Sequence, residues 1–194
     1  MIIKKNKINH AIKTLEEGNI LIYPTDTLYG LGADATNTSA IEKINKLKKR
    51  ISPLSIMVSS LKEIHKYAIT DSKIDKELKK IFPGPFTALM QSKKTNLSYL
   101  VQNDSNKIGI RIPNNMFCLD LLNKYKKPII TTSVNIHGEK SLNRVDKIEK
   151  KFSKINIYYQ NNNLDSKGST IIDFTKKPPV IIRMGDGNYN YGNI

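Results

Sequence analysis

The sequence Tyr-Pro-Thr-Asp-Thr-Leu-Tyr-Gly-Leu-Gly at residues 23–32 follows a short apolar run at 20–22. The apolar run predicts a buried strand, and Pro24 ends its pairing because proline has no N–H group to donate. Two threonines and an aspartate come next, and then Gly30 and Gly32, where a Cβ would restrict the backbone. Small hydroxyl groups and glycines after a buried strand are typical of a small-molecule site in an α/β protein, although they also fit an ordinary polar loop.

The chain has 194 residues, enough for one domain with a sizeable core and short for two. No apolar run approaches the ~20 residues needed to span a bilayer, and the basic N-terminus lacks the apolar core of a signal peptide. The single cysteine, Cys118, excludes an internal disulfide, so we expect a cytoplasmic protein with no membrane partner. Cys118 lies in an apolar pattern with Phe117 and Leu121, and we expect it in the core rather than as a nucleophile.

The chain is strongly basic, with 32 Lys and Arg against 17 Asp and Glu, and a net charge of +15. Such a charge favours anionic partners, nucleotides and RNA among them. Lysine is abundant throughout the chain, so the excess does not locate a binding patch. A non-catalytic RNA-binding module remains an alternative, although only 7% of the residues are aromatic and no base-stacking pattern is present.

The sequence predicts strands and helices that follow one another irregularly rather than in strict βαβ order. This order predicts an α/β protein of the α+β type, with an open, twisted mixed sheet flanked by helices. Ser39 and Glu42 form a capping-box pattern for a helix that ends near Lys49. No long linker divides the chain, so we expect a single domain at 1–187 and a frayed tail at 188–194.

Three common types of site find no support in the sequence. The histidines at 10, 65 and 137 lie far apart and lack the spacing of metal ligands. The sequence contains no serine elbow and no Cys-His pairing. The glycines at 30 and 32 are not followed by the Gly-Lys-Ser/Thr of a P-loop, so a bound nucleotide must be held in another way.

Short polar clusters instead lie at the ends of the predicted strands and helices. Together they supply cations and hydroxyl donors with few carboxylates, which suits triphosphate binding and the stabilisation of charge during transfer to phosphorus. Each cluster also has a purely structural explanation, such as a solvated helix end for Lys48 and Arg50 or a surface salt bridge for Arg111. The clusters are Thr25-Asp26-Thr27, Lys48-Lys49-Arg50, Arg111-Ile112-Pro113, Thr131-Thr132-Ser133-Val134-Asn135, Ser169-Thr170 and Arg183.

Seven motifs occur in order between about residue 8 and residue 187: the stretch at 23–32, Lys48-x-Arg50, Phe82-Pro-Gly-Pro-Phe-Thr87, Ile110-Arg-Ile-Pro113, Thr131-Thr-Ser-Val-Asn135, Ser169-Thr-Ile-Ile-Asp173 and Ile182-Arg-Met-Gly185. In this order they resemble the YrdC-like threonylcarbamoyl-AMP synthase family, in its short single-domain form. The resemblance implies an open α/β fold with a concave basic face. It also implies a nucleotidyltransferase that converts L-threonine, bicarbonate and ATP into threonylcarbamoyl-AMP and pyrophosphate.

The resemblance further implies partners and residue roles. The product would serve formation of N6-threonylcarbamoyladenosine in tRNA through partner threonylcarbamoyl transferase proteins, and tRNA itself is a candidate partner. Mg²⁺ would be carried with ATP, without a dedicated protein metal site. Lys48 and Arg50 would be the catalytic residues, which neutralise charge as a carbamate oxygen attacks the α-phosphorus. L-threonine would be held by Thr27, Arg111, Thr131 and Ser169, and ATP by Lys48, Arg50, Ser133, Asn135, Ser141 and Arg183.

The sequence departs from the family pattern at three places. Only two residues separate Arg50 from Pro53, which is fewer than is usual in the family. The segment at 136–138 is Ile-His-Gly instead of Leu-Ser-Gly. Lys107 replaces a small hydroxyl residue that is common in some members. The main alternative is a paralogue with the same fold that binds RNA or nucleotide without synthase activity. Retention of the Lys-x-Arg and Ser-x-Asn motifs favours the synthase. A carbamoyl-transfer domain of hydrogenase maturation is disfavoured because that domain belongs to a much longer chain.

Overall fold

The structure, a computed structural model, describes residues 1–4, 7–49, 51 and 53–191. Within these residues the helices are α1 (Lys7–Glu16), α2 (Thr38–Lys48), α3 (Leu61–Tyr67), α4 (Ser72–Ile81), α5 (Met116–Tyr125) and α6 (Val145–Lys151). The strands are β1 (Ile2–Ile3), β2 (Leu21–Tyr23), β3 (Gly30–Gly32), β4 (Ser55–Met57), β5 (Phe86–Gln91), β6 (Lys107–Arg111), β7 (Ile129–Ser133), β8 (Asn156–Tyr158), β9 (Thr170–Asp173) and β10 (Val180–Arg183).

The strands form one mixed sheet in the order β1-β8-β2-β3-β7-β4-β6-β5-β9-β10. Four pairs are parallel, namely β1 with β8, β2 with β8, β4 with β6, and β5 with β9, and the remaining pairs are antiparallel. The prediction of an α/β protein with a mixed sheet flanked by helices is therefore confirmed. Neighbours in the sheet are mostly distant in sequence, so residues from widely separated motifs meet on its surface.

The sheet separates two hydrophobic cores, because alternate residues of a strand point to opposite faces. Ile22 of β2 and Ile130 of β7 belong to the larger core, with buried side chains of α2, α3, α4 and α6. Their neighbours Tyr23 and Ile129 belong to the smaller core, with side chains of α1 and α5. Among the described residues, the smaller core takes no side chain from β5, β6 or β9. This face of the sheet is therefore free to carry polar groups on those strands.

The glycines of β3 are required by close approach rather than by an unusual backbone conformation. A Cβ on Gly32 would lie 2.6 Å from the carbonyl oxygen of Ile130 and 2.6 Å from the ring of Tyr23. A Cβ on Gly30 would lie 2.8 Å from the same tyrosine ring. The expectation that a Cβ is not tolerated here has its physical reason in the buried Tyr23, which lies across β3.

Cys118 is fully buried in the smaller core, as the sequence predicts. Its Sγ donates to the carbonyl oxygen of Pro24 at 3.1 Å. Burial raises the pKa of the Cys118 thiol, which disfavours the reactive thiolate. The part of the chain that the structure describes contains no helix that is both long and apolar enough to cross a membrane.

Two local expectations differ from the structure. Helix α2 begins two residues earlier than a cap at Ser39 requires, because the side chain of Asn37 accepts from the backbone N–H of Ala40 at 3.0 Å. The frayed tail was expected from residue 188, but Tyr189 is buried and its hydroxyl donates to Glu77 at 2.9 Å. The packed chain therefore continues beyond 187, and residues 192–194 lie outside the described part.

Candidate active site

Polar residues of several central strands share one face of the sheet and line a cavity of about 220 Å³. Ser55 of β4 lies opposite Thr131 of β7, and Thr87 of β5 lies opposite Ile171 of β9. Arg111 alternates with Ile110, which belongs to the larger core, so its side chain points to the cavity face. The register of the sheet thus assembles a polar surface where the smaller core supplies no apolar cover.

The loop between β2 and β3 forms one wall of this cavity, and Thr25 holds its shape. The hydroxyl of Thr25 donates to the carbonyl oxygen of Leu28 at 2.6 Å and accepts from the backbone N–H of Thr27 at 3.0 Å. Thr25 and Thr27 are both buried, and their hydroxyl oxygens are 3.1 Å apart. The side chain of Thr27 is therefore fixed at the cavity surface before any ligand is present.

Arg111 is the central cation of the cavity. Its Nη2 donates to Oδ1 of Asp26 at 2.8 Å and to the hydroxyl of Thr27 at 3.2 Å. The other carboxylate oxygen of Asp26 accepts from the backbone N–H of Asn114 at 3.0 Å. Both partners are buried, and the Nε of Arg111 has no hydrogen-bond partner among the described residues. The Arg111 side chain lines the cavity, so its charge can pair with an anionic acceptor such as a carboxylate placed there.

Ser169 and Arg183 form a second polar group on the β9–β10 side. The Nη2 of Arg183 donates to the carbonyl oxygen of Ser169 at 2.7 Å and to its hydroxyl at 3.0 Å. The Ser169 hydroxyl also lies 2.8 Å from that of Thr87. Burial and the neighbouring charge of Arg111 lower the pKa of the Arg183 guanidinium, which nevertheless stays a cation at neutral pH.

Lys48 reaches the cavity from the last turn of α2. Its Nζ donates to the carbonyl oxygen of Ser133 at 2.7 Å and to the side-chain oxygen of Asn135 at 2.9 Å. The Ser133 hydroxyl donates to the same Asn135 oxygen at 2.7 Å. The backbone N–H of His137 donates to the carbonyl oxygen of Lys48 at 2.9 Å, so the atypical 136–138 segment packs against the end of α2. Lys48 is buried and is not the solvated helix end that the structural alternative requires.

The lining of the cavity is electrostatically one-sided. Four cationic side chains contribute to it and, among the described residues, no carboxylate does. Asp26, which pairs with Arg111, is not part of the lining. A pocket with several cations and hydroxyl donors favours an anionic ligand. The four cations are Lys48, Arg111, Lys167 and Arg183.

The structure brings most of the predicted site residues together. Asn135 does not line the cavity but holds Lys48 and Ser133, which do. Arg50 lies outside the described residues, so the structure does not locate it. Lys107, which departs from the family pattern, begins β6, whereas Arg111 ends it. The Nζ of Lys107 pairs with Asp173 at 2.8 Å. The residues that line the cavity are Thr27, Lys48, Arg111, Thr131, Ser133, Ser141, Ser169 and Arg183.

Several contributors were not singled out from the sequence. Asp26 was recognised only as one member of a polar cluster, and its pairing with Arg111 across 85 residues has no local signal. Thr87 ends the Phe82–Thr87 motif, and its place just after the rigid Pro-Gly-Pro turn is a local signal for a hydroxyl at the site. Lys167 and Leu28, which also line the cavity, carry no signal in a single sequence.

A family model and a sequence relative match the chain over most of its length. The model named Sua5_yciO_yrdC, described as "Telomere recombination", matches residues 13–185. Threonylcarbamoyl-AMP synthase of Psychromonas ingrahamii is 30% identical over 158 residues, which cover 78% of this chain and 82% of that protein.

Solved structures show the same fold. Escherichia coli YciO superimposes with a TM-score of 0.86 at 25% identity, over 97% of this chain and 95% of that chain. Pyrococcus abyssi Sua5 complexed with L-threonine superimposes with a TM-score of 0.85 at 26% identity, over 95% of this chain. The present chain spans 56% of that Sua5 chain. The two solved structures, a threonine-bound Sua5 and YciO, thus share the fold described above.

Proposed function

We propose, from the premise that this chain belongs to the Sua5–YciO–YrdC family, that it is an L-threonylcarbamoyladenylate synthase. Its substrates would be L-threonine, bicarbonate and ATP, and its products threonylcarbamoyl-AMP and pyrophosphate. The threonine ligand in the Pyrococcus abyssi Sua5 structure supports the choice of amino acid. The name of the Psychromonas ingrahamii relative supports the reaction.

The observation that carries this proposal is the state of Arg111. Asp26 orients the guanidinium through Nη2, and the oriented cation lines the cavity. An amino-acid carboxylate in the cavity would form with this guanidinium the charge-assisted pair that arginine favours. The hydroxyls of Thr27, Thr131 and Ser169 lie around the same cavity and would complete the threonine site.

The remaining cations would bind the triphosphate. Lys48 and Arg183 line the cavity, together with the hydroxyls of Ser133 and Ser141, and Asn135 holds Lys48 from behind. Arg50 would add a cation next to Lys48. Mg²⁺ would come with ATP and neutralise part of the phosphate charge, as it does in other nucleotide sites. The role of the chain would be to position the two anionic substrates against each other.

The proposed chemistry needs no protein nucleophile. The threonine amine combines with bicarbonate, with loss of water, to give a carbamate. A carbamate oxygen then attacks the α-phosphorus of ATP, a P–O bond forms, and pyrophosphate leaves with the electrons of the broken bond. Negative charge grows on the phosphoryl oxygens during this step, and Lys48 and Arg50 would stabilise it. Catalysis is then mainly positioning and electrostatic stabilisation.

Partners and compartment follow from the same proposal. Threonylcarbamoyl-AMP is a reactive mixed anhydride, so a partner threonylcarbamoyl transferase must pass its acyl group to adenosine of tRNA. We place this step in the cytoplasm, in keeping with a single, buried thiol. The second candidate is a nucleotide- or RNA-binding paralogue without synthase activity, and the similarity to YciO keeps it in consideration.

Pyrophosphate release tests the proposal directly. Purified protein is incubated with ATP, L-threonine and bicarbonate, and then with each substrate omitted in turn. We expect release only in the complete mixture, together with an adduct of AMP and threonylcarbamate in the mass spectrum. Release without threonine would contradict the proposal. ATP binding by calorimetry without any release would favour the paralogue.

A further inference from the structure

A second concavity lies between α4 and the turn that joins β9 to β10. Its volume is about 870 Å³, and no described residue lines both this groove and the candidate active site. Phe174 of the groove follows the end of β9, whereas Ser169 of the active site precedes its start. At about 3.3 Å per residue the two positions are roughly 16 Å apart along the strand. We refer to this concavity as the α4–β10 groove.

Lysines dominate the rim of the α4–β10 groove. Lys73, Lys76 and Lys80 are spaced for one face of α4, and Lys176 and Lys177 approach from the opposite turn. All five are exposed. Of these, only Lys80 forms a salt bridge among the described residues, so the others present unneutralised charge to the groove.

The two carboxylates of the groove are already engaged by the fold. Asp71 caps α4 by accepting from the backbone N–H groups of Lys73 and Ile74. Glu77 accepts from Lys80 at 2.8 Å and from the hydroxyl of Tyr189 at 2.9 Å. Glu77 thus neutralises Lys80 alone, and six lysines line the groove against these two carboxylates. The groove therefore attracts anions although two acidic residues line it.

The floor of the groove is apolar and partly flat. Phe174 is buried beneath it, Pro178 and Pro179 form one side, and 53% of the surface of Tyr191 is exposed. An exposed aromatic ring beside apolar groups offers a face on which a planar group can stack. A small inorganic anion would use the lysines but would leave these rings and prolines in water. The occupant must combine repeated negative charge with planar apolar groups.

We propose that the α4–β10 groove binds a single-stranded segment of RNA. Its phosphates would lie along the lysines of α4 and of the β9–β10 turn, and its bases would stack on Tyr191 and the adjoining prolines. A duplex buries its bases and cannot use the apolar floor. An acidic peptide suits arginine forks better than separate lysine charges, which fit phosphate as point charges. The choice of RNA over DNA rests on the proposed function, the synthase that serves tRNA modification. The rest of the proposal does not depend on that function.

Fluorescence anisotropy with a labelled 12-nucleotide oligouridylate tests this proposal. The charge-reversal variant Lys76→Glu/Lys177→Glu should bind at least tenfold more weakly than the unaltered chain at low salt. Its plot of log affinity against log salt should be shallower by about 1.4, because two phosphate contacts are lost. Tyr191→Ala should weaken binding about tenfold with the salt slope unchanged, because stacking is not ionic.

The matched control is Lys62→Glu/Lys124→Glu, which changes the net charge equally at exposed positions of α3 and α5. It should retain affinity within about threefold, since it leaves the groove intact. The proposal is overturned if the control loses as much affinity as the groove variant, or if the unaltered chain does not bind the oligonucleotide. It is equally overturned if duplex RNA binds as tightly, or if an Asp-rich peptide displaces the oligonucleotide at lower concentration.

Pyrophosphate release by the same variants separates this proposal from the proposed function. The groove residues do not line the active-site cavity, so threonine-dependent release should be unchanged in all of them. Loss of RNA binding with unchanged release supports the groove. Absence of release in every protein, the unaltered chain included, would contradict the synthase while the RNA titration still reports on the groove.

Discussion

The Nη2 of Arg111 lies 2.8 Å from Oδ1 of Asp26, and this buried ion pair joins β6 to the loop that follows β2. The pair leaves the Nε of Arg111 without a partner among the described residues. The second oxygen of Asp26 is fixed by the backbone N–H of Asn114. Asp26 therefore sets the orientation of the guanidinium. Arg111 lines the cavity, but the carboxylate that orients it does not.

Asp26→Asn tests this relationship. The amide keeps the shape of the side chain but removes the charge that orients Arg111, so the carboxylate of threonine should bind less well. We expect the KM for L-threonine to rise about tenfold, with kcat and the KM for ATP changed less than threefold. The matched control is Asp120→Asn on the exposed side of α5. Equal losses for threonine and ATP would show that the pair has only a structural role.

Arg50→Ala tests the proposed stabilisation of charge at phosphorus. Removal of a cation that acts only in the transition state should lower kcat about 100-fold and leave the KM for threonine nearly unchanged. Lys49→Ala is the control, because Lys49 is an exposed neighbour with the same charge. An unchanged kcat in Arg50→Ala would restore the interpretation of this residue as an ordinary helix-end cation.

Asp34 makes stability depend on pH in a defined direction. Burial would raise the pKa of its carboxyl, but hydrogen bonds from Thr36, Tyr125 and Lys127 outweigh burial and hold the pKa below the ordinary 3.8. A depressed pKa adds stability above the ordinary value, and this contribution is lost as pH falls through the lower pKa of the folded state. Asp34→Asn should therefore lower the free energy of unfolding at pH 7 by about 1–3 kcal/mol.

Urea titrations at pH 7 and pH 3 measure this effect. The difference between Asp34→Asn and the unaltered chain should shrink at pH 3, because this carboxyl binds a proton more readily in the unfolded chain than in the folded chain. Asp34 does not line the active-site cavity, so pyrophosphate release by the folded variant should be unchanged. A stability difference that stays constant across this pH range would contradict the role of the ionised carboxylate.

Gly32→Ala tests the packing of β3 against Tyr23. The added Cβ would come 2.6 Å from the backbone oxygen of Ile130, which can move only with β7. We expect a loss of about 1–3 kcal/mol or more in the free energy of unfolding. Gly138→Ala is the comparison, because Gly138 has a φ of +82° but open space around it. It should lose only about 1 kcal/mol, from backbone strain alone. A larger loss at 138 than at 32 would refute the packing argument.

Local features of the fold were predictable because their causes are local. The proline at 24 ends the preceding strand, and β2 indeed ends at Tyr23. The alternation of side chains along β6 is also a local property, and it places Arg111 on the face opposite Ile110. The cap of α2 was wrong, because Asn37 and Ser39 are both good caps and the choice depends on the chain before the helix. The sequence around Tyr189 predicts a frayed tail. The residue that holds Tyr189 in place, Glu77, is 112 residues away in the chain and gives no local signal.

The sequence by itself determined the α/β class, the buried cysteine, the basic character and the residue types of the candidate site. It did so because hydrophobic periodicity, turn residues and charge are properties of short segments. Only the tertiary structure decided that Asp26 orients Arg111, that Asn135 supports Lys48, and that Ser169 meets Arg183. Those contacts depend on the order and register of strands distant in the chain, and no short segment encodes either. The residues at 23–32 fit both a small-molecule site and an ordinary polar loop, and the sheet makes this loop one wall of a cationic cavity.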